Sequence, residues 1–433
     1  MGLSGMAAAW QDPHADGYDV LILDAGHKQS LASVRSLGRA GLRVALGESF
    51  VEYRPSLPVP AFRSRYCAYK LTLPSYAEDA DAFGDAVTGF VREHPTQVVL
   101  PTGDGVIAAL APRRKELAEL GCTLAVAPDS ALEIATDKDR TLEVASRLGI
   151  PQPRTRRFDS LDELPSVLSE FAFPFVLKPS VSWTGNTSAR IVPSEVVNEA
   201  EATELSREFI AAGSSVLAQQ WASGRREGVT LFIADGEVVA SCGHIAHRTS
   251  PPLGGASVMR ESIAVPPDIY DSAIRLAKAV GIEGVCEVEF RRDADGHPLL
   301  MEINPRLAGT IENAVHSGVD FPLMIWQWAT GRPVTRTTRY RTGVRTRWLH
   351  GDLRWLRDNQ LSAGRPDTVS RVQSLLTFGT EFFRTRYYDC FDWHDLRPFM
   401  AEMRVTAAVV RRSQRSRSTA VNADGKGALH ASN

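Results

Sequence analysis

Residues Gly284 to Arg306, GVCEVEFRRDADGHPLLMEINPR, can fold in few ways, because two β-forming runs flank Asp295-Gly296, a strong signal for a two-residue hairpin turn. Strand side chains alternate between faces, so Glu287, Glu289 and Arg291 share one face and Val288 and Phe290 the other. On the return strand Leu300, Glu302 and Asn304 share a face. A turn centred on Asp295-Gly296 sets Glu289 opposite Glu302 and Glu287 opposite Asn304. Like charges opposed across a ladder repel. A hard divalent cation reverses that sign, and two carboxylates with an amide oxygen suit Mg²⁺, which keeps waters and substrate phosphates in its shell. Arg306 stands just beyond, placed for an anionic group. The plainer alternative is a solvated hairpin whose acids pair with Arg291 and Arg292.

A chain of 433 residues is long enough for two to four compact units. Its formal net charge of −2 gives no reason to expect a nucleic-acid partner. The five cysteines, Cys67, Cys122, Cys242, Cys286 and Cys390, are scattered and form no CxxC, which argues against a disulfide framework and a zinc site. Reduced thiols in a cytoplasmic protein are the expectation. No apolar stretch approaches a membrane span, and the first seventeen residues lack a basic start followed by an apolar run. From Arg411 the sequence turns rich in Ser, Arg, Ala and Gly and reads as a disordered tail.

The front of the chain is βαβ in pattern. YDVLILD is a strand, a helix follows to about Gly41, and further strands are expected at Gln97 to Pro101 and Thr123 to Ala127, so residues 18 to 130 read as a small parallel α/β unit. The loop Ala25 to Ser30 lies where such folds bind ligands, but Gly26 alone is not a GxGxxG dinucleotide site. Thr136 or Asp137 caps a helix that carries Lys138 in its first turn. Phe173 to Lys178 is a strand ending in a lysine, followed by a polar loop, Ser180 to Ser188, suited either to closing over phosphates or to being a plain hairpin tip. VLAQQW forms another strand, and a hairpin turns at Asp235-Gly236. The segment from Arg248 to Arg260 reads as a mobile loop flanked by arginines, open to an anionic substrate. Helices are expected at Pro267 to Gly281 and, as one long element, at Thr310 to Thr330. The aromatic residues Trp348, Trp355, Phe382, Phe383, Tyr387, Tyr388, Phe391 and Trp393 are assigned to packing.

A lysine opening a helix, a lysine ending a strand, a hinge strand, then VEF and EINPR followed by GVDFP: over residues 18 to 335 this order resembles the ATP-grasp superfamily, and within it the predicted carboligase group. The resemblance implies a multidomain α/β and α+β protein, an ATP-grasp fold behind an N-terminal Rossmann-like parallel α/β domain. The divisions it suggests are 1–17 flexible N-terminus, 18–130 N-terminal domain, 131–215 small lobe, 216–335 metal- and substrate-binding lobe, 336–410 mostly helical extension and 411–433 tail. It implies an ADP-forming carboxylate-amine ligase that uses ATP with Mg²⁺ or Mn²⁺. Lys138 and Lys178 would contact the phosphates, Gln219, Gln220 and Trp221 the adenine, and Glu227 the ribose or purine. Glu289, Glu302 and Asn304 match the metal ligands, Arg306 the arginine that steadies the transferring group, and Arg260 a substrate contact. Glu287 shares the face but lies outside the matched ligand set. The phosphate loop departs from its glycine-rich relatives by holding only Gly185. Implied partners are a small carboxylate and an amine, with a homo-oligomer left open; a non-catalytic ATP-binding module and a small-molecule kinase are the alternatives.

Overall fold

The computed structural model describes residues 17–51, 55–180, 193–252, 255–337, 339–362 and 364–409. The expected phosphate-covering loop beyond Ser180, the segment 1–16 and the tail from 410 lie outside the described residues. Among the described residues no helix is long and apolar enough to cross a membrane.

Three sheets organise the chain. The first contains β1 (Tyr18–Leu23), β2 (Val44–Glu48), β3 (Cys67–Thr72), β4 (Thr96–Leu100) and β5 (Thr123–Leu124). All pairings are parallel, in the order β3-β2-β1-β4-β5. β1 is apolar on both faces because both are covered: Leu21 and Leu23 enter one core cluster, Val20 and Ile22 another. The order reverses direction at β1 and β4, and the crevice outside the carboxyl ends of such strands is a ligand position.

The second sheet contains β6 (Thr155–Phe158), β7 (Phe175–Pro179), β8 (Ser194–Val196) and β9 (Val216–Gln220), in the order β6-β9-β7-β8. Phe158 and Phe175 pack beneath the helix Glu199–Ala211, which supplies Phe209.

The third sheet carries β10 (Arg226–Ala234), β11 (Glu237–Ser250), β12 (Ala256–Ile263), β13 (Gly284–Arg292), β14 (Pro298–Asn304), β15 (Arg345–Arg347) and β16 (Tyr387–Tyr388). Their order is β14-β13-β10-β11-β12-β15-β16. One face buries Val229, Leu231, Val288 and Phe290 against Ile269, Ala273 and Leu276 of the helix Pro267–Val280. The other face looks toward the carboxyl ends of β1 and β4. The β10–β11 turn has the expected two residues, with Asp235 at φ 54° and Gly236 at φ 73°, the positive angles this hairpin type requires.

Three expectations are corrected. Thr310 to Thr330 is two helices, Ile311–Ser317 and Phe321–Ala329, because Gly318 ends the first at φ 103° and Asp320 caps the second through Leu323 N. Arg248 to Arg260 is mostly strand, and Arg248 is buried against both carboxylate oxygens of Asp352 at 3.0 and 2.9 Å, with its guanidinium over Trp355. The C-terminal aromatics are not all packing residues: Phe383 is 93% and Trp393 77% exposed, while Trp355 is buried.

Candidate active site

The hairpin of β13 and β14 pairs Glu289 with Glu302 and Glu287 with Asn304, as the alternation requires. It reaches this register by two departures from the simplest hairpin. The turn is one residue longer than expected: Asp293 N bonds His297 O, leaving Ala294, Asp295 and Gly296 in the loop, with Gly296 at φ 87°. Near the pair, the ladder then slips between Glu289 and Phe290, where Phe290 meets Leu300 and Met301 is the extra residue. Leu300 therefore joins Val288 and Phe290 in the core and does not share the face of Glu302 and Asn304.

The neighbouring strands complete this wall. In β10, Gly228 lies between Glu289 and His244 of β11, and a methyl group there would meet His244 Cε1 at 2.5 Å. Glycine at this position leaves room for the imidazole, whose Nε2 lies 3.5 Å from Glu287 Oε1. Burial pushes His244 down to about 4, so it faces the acids as neutral imidazole. Glu287 accepts from Thr310 Oγ1 at 2.9 Å, and Glu289 takes Arg226 at 3.3 Å.

Charge balance differs among the three acids. Burial holds Glu289 above the ordinary carboxylate range, and Glu287 and Glu302 push it further, against Arg226 and His244. Burial likewise raises Glu287. For Glu302, burial raises the carboxyl, but Lys138, the Asn304 amide, Lys178 and Arg306 outweigh it and leave the group below its usual range. The wall thus carries anionic charge that its own cations do not fully compensate. A cluster of hard oxygen donors in that condition fits a divalent cation at Glu289, Glu302 and Asn304. By contrast, Asp293, Asp295 and His297 lie at the hairpin tip, where Asp293 already accepts the N–H groups of Asp295 and His297.

Lys138 opens the helix Lys138–Arg147, whose cap is Asp137, bonded to the N–H groups of Asp139 and Arg140. Its own N–H bonds Ser180 O, tying the helix start to the end of β7. Lys178, on β7, is buried, and burial with the nearby Lys138 lowers it to about 8, against the pull of Glu302. The two lysines and Glu302 therefore form one electrostatic group. Gln219 is buried on β9 and donates to Thr155 Oγ1 at 3.0 Å, Gln220 is exposed, and Trp221 lies under Arg291 with 4.3 Å from guanidinium to ring. Glu227 lines the cavity described next, but Arg292 Nε at 2.6 Å and Arg225 at 3.3 Å hold its carboxylate.

A cavity of about 600 Å³ opens before the wall, within the usual range for small-molecule sites. Arg306 borders it and forms a two-pronged bond with Asp104 beyond β4, Nε–Oδ1 at 2.6 Å and Nη2–Oδ2 at 3.0 Å, which fixes the guanidinium and raises its pKa. Arg260 is placed differently: it is fully buried, bonded to Asp389 and to Ser257 O, and is not among the residues lining the cavity. Lys28, which does line it, stands beside that pair.

Several cavity residues were not named from the sequence, Glu287 as a full member of the wall, His244, Asp104, His350 and Glu402 among them, while Lys28 and Trp348 fall in the Ala25 to Ser30 loop and the aromatic C-terminal part, from which a pocket is expected. The face of Glu287 was a signal for the first of them. The others meet only through long-range folding. His350 bonds Thr406 Oγ1 at 2.7 Å, and burial with Arg354 lowers it to about 4. An unfolded histidine takes its proton near 6.5, so stability present above that pH should fall as pH drops toward 4. Urea unfolding of His350→Gln across this window should show a shallower pH slope; an unchanged slope would remove His350 from the cause.

The sequence profile described as "ATP-grasp in the biosynthetic pathway with Ter operon" matches residues 243–351. The carbamoyl phosphate synthase large chain of Thermus thermophilus is 28% identical over 229 residues, 51% of this chain and 21% of the relative, so the match spans about a fifth of that protein. The D-alanine--D-alanine ligase of Pseudomonas entomophila is 26% identical over 215 residues, covering 45% of this chain and 64% of the ligase. Among solved structures, an L-amino acid ligase from Bacillus licheniformis has TM-score 0.55 at 19% identity, over 72% of this chain and 74% of its own. A biotin carboxylase–β-γ-ATP complex from Campylobacter jejuni has TM-score 0.57 at 15% identity, over 76% and 75%. Proteins of such different names share one architecture with this chain, and its residues 243–351 match an ATP-grasp profile.

Proposed function

We propose that the protein is an ATP-dependent ligase that activates a carboxylate as an acyl phosphate for attack by an amine, forming an amide or peptide-like bond and releasing ADP and phosphate. The observation that carries this reading is the grouping of Lys138, Lys178 and Glu302, with Glu302 opposed to Glu289 in the lining of the cavity. Lys138 and Lys178 bind and orient the phosphates, and the residues Gln219 to Trp221 border the adenine. Arg306, held by Asp104, presents a pre-oriented cation to the group being transferred. A divalent cation at Glu289, Glu302 and Asn304 would supply charge neutralisation for the phosphate oxygens. Such transfer needs positioning and charge more than a protein nucleophile. The strand order of the first sheet supports a Rossmann-like N-terminal domain over about residues 18–130, ahead of lobes at 131–215 and 216–335 and an extension to 410. Five free thiols suit a cytoplasmic setting.

The test is ADP release that requires both a carboxylate and an amine. Release with a carboxylate alone, and a stable phosphorylated product in the phosphorus NMR spectrum, would replace the ligase with a kinase. Lys178→Ala should weaken ATP binding by on the order of 10- to 100-fold, the worth of one charge-assisted bond. An unchanged nucleotide dissociation constant, measured by calorimetry, would count against the phosphate role.

A further inference from the structure

Past the carboxylate wall the cavity continues into a recess built with the C-terminal part of the chain, where Trp348, Glu402 and Val405 line it opposite Lys28. The Lys28 ammonium lies 5.1 Å from the centroid of the Trp348 ring. At its edge the same indole donates its N–H to Glu402 Oε1 at 2.7 Å. One aromatic ring therefore separates a buried cation from a buried anion, and no bond between the two charges occurs among the described residues.

Each charge is only partly satisfied. Lys28 gives one N–H to Ser257 O at 2.7 Å and stands 3.7 Å from Asp389, whose other oxygen is bonded by Arg260. An ammonium has three donors, so capacity remains toward the cavity. Glu402 is 5% exposed, and its Oε1 also accepts the Cys390 thiol at 3.0 Å. Its Oε2 accepts no hydrogen bond among the described residues. Burial, reinforced by Arg260, lowers Lys28 to about 7 despite Asp389, Glu287 and Cys390. Burial raises Glu402 to about 7 despite the thiol and the indole. Lys28 shares the single carboxylate of Asp389 with Arg260, and Glu402 forms no ion pair among the described residues, so a ligand that carries both charges would complete the two at once. Cys390 itself is buried with its pKa well above the ordinary thiol value, which leaves it a hydrogen-bond donor and not a nucleophile.

We propose that this recess receives a small zwitterion, an amino acid-like molecule whose carboxylate meets Lys28, whose ammonium meets Glu402 Oε2, and whose apolar substituent lies against Val405 and Val409. As the identity of one reactant, the proposal rests on the ligase reading; as a binding site it is testable without it. Thermal shift on the full chain without nucleotide, using alanine, valine, leucine, methionine and phenylalanine at millimolar concentration, should show stabilisation by at least one. For the tightest binder, calorimetry should show that the α-amide, which lacks the carboxylate, and the N-acetyl derivative, which lacks the ammonium, each bind at least about tenfold more weakly.

Lys28→Met should then bind the amino acid and its amide alike, and Glu402→Gln the amino acid and its N-acetyl derivative alike. The proposal is overturned if no member of the panel binds, if the derivatives bind as tightly as the parent, or if both variants keep the parent's preferences. Should a variant fail to fold, the comparison of ligands on the native chain decides alone. Zwitterion binding without any ADP release would sink the ligase and leave the recess standing. ADP release with other substrates, and none of the panel bound, would sink the recess alone.

Discussion

In Glu302→Ala, ATP-dependent turnover falls by on the order of a thousandfold while the fold persists. Glu302 stands at the meeting point of two sheets: it faces Glu289 across the hairpin and lies within the field of Lys138, Lys178 and Arg306. On the proposed reading, removing it takes away a metal-ligand oxygen and the anion that balances the two lysines assigned to the phosphates, so metal and nucleotide both lose their positions. Losing one preorganised electrostatic contact to a transition state already costs on the order of 10²- to 10³-fold. The loss in stability should be small, about 1 kcal/mol or less, because the lost charge attraction is offset by relief of repulsion with Glu289. Steady-state ADP release gives the first readout, and Mn²⁺ titration followed by electron paramagnetic resonance gives the second. Near-normal turnover or undiminished Mn²⁺ affinity would end the assignment of Glu302 to the metal wall.

The largest stability effect is expected at Arg35, which is not among the residues lining the cavity. Its side chain is fully buried in the helix Lys28–Arg39, with Nε bonded to Asp395 Oδ2 at 3.0 Å. Its remaining N–H groups reach Asp389 O at 3.0 Å, Cys390 O at 2.9 Å and Asp395 O at 3.0 Å. Removing one partner of a buried ion pair strands the other, a loss of about 3 to 5 kcal/mol. Asp395 keeps Ser64 Oγ at 2.7 Å and Arg65 N at 2.9 Å, so Arg35→Leu should fall at the lower end of that range. Denaturant unfolding measures this directly, and Asp395→Asn with the double variant gives the coupling. A loss below about 1 kcal/mol would mean that water or a shifted chain replaces the clamp. Because the clamp holds the backbone of Asp389 and Cys390, its loss should also expose the Cys390 thiol to alkylation.

The two sites differ in how visible they are along the chain. The opposition of Glu289 and Glu302 is local: alternation about a two-residue turn predicts it, although the chain reaches it through a three-residue turn offset by the bulge at Met301. Lys178 stands out because it ends the apolar run Phe173 to Leu177, whereas Lys138, set between Asp137 and Asp139, is marked only by the family resemblance. Nothing local marks Arg35, Arg248 or Arg260, whose partners Asp395, Asp352 and Asp389 lie more than a hundred residues away and turn apparent surface charges into buried pairs. The same holds for Trp348 and Glu402, which acquire meaning only when the helix carrying Lys28 is packed beside them. Aromatic spacing also misleads: the helix Arg371–Arg384 leaves Val372, Leu375, Leu376 and Phe383 exposed, although an apolar stripe reads as core.

The bulge at Met301 makes the hairpin a two-part device. On the tip side, Asp293, Gly296 and His297 follow the rules of their own turn. On the inner side, Glu287, Glu289, Glu302 and Asn304 keep a fixed pairing. Because the extra residue takes up the mismatch between the two, changes of tip length need not propagate as a change of face to the acids. Substitutions at Ala294 or Asp295 thus leave that pairing in place, while an insertion or deletion between Leu300 and Glu302 alters the strand that carries Glu302 and Asn304.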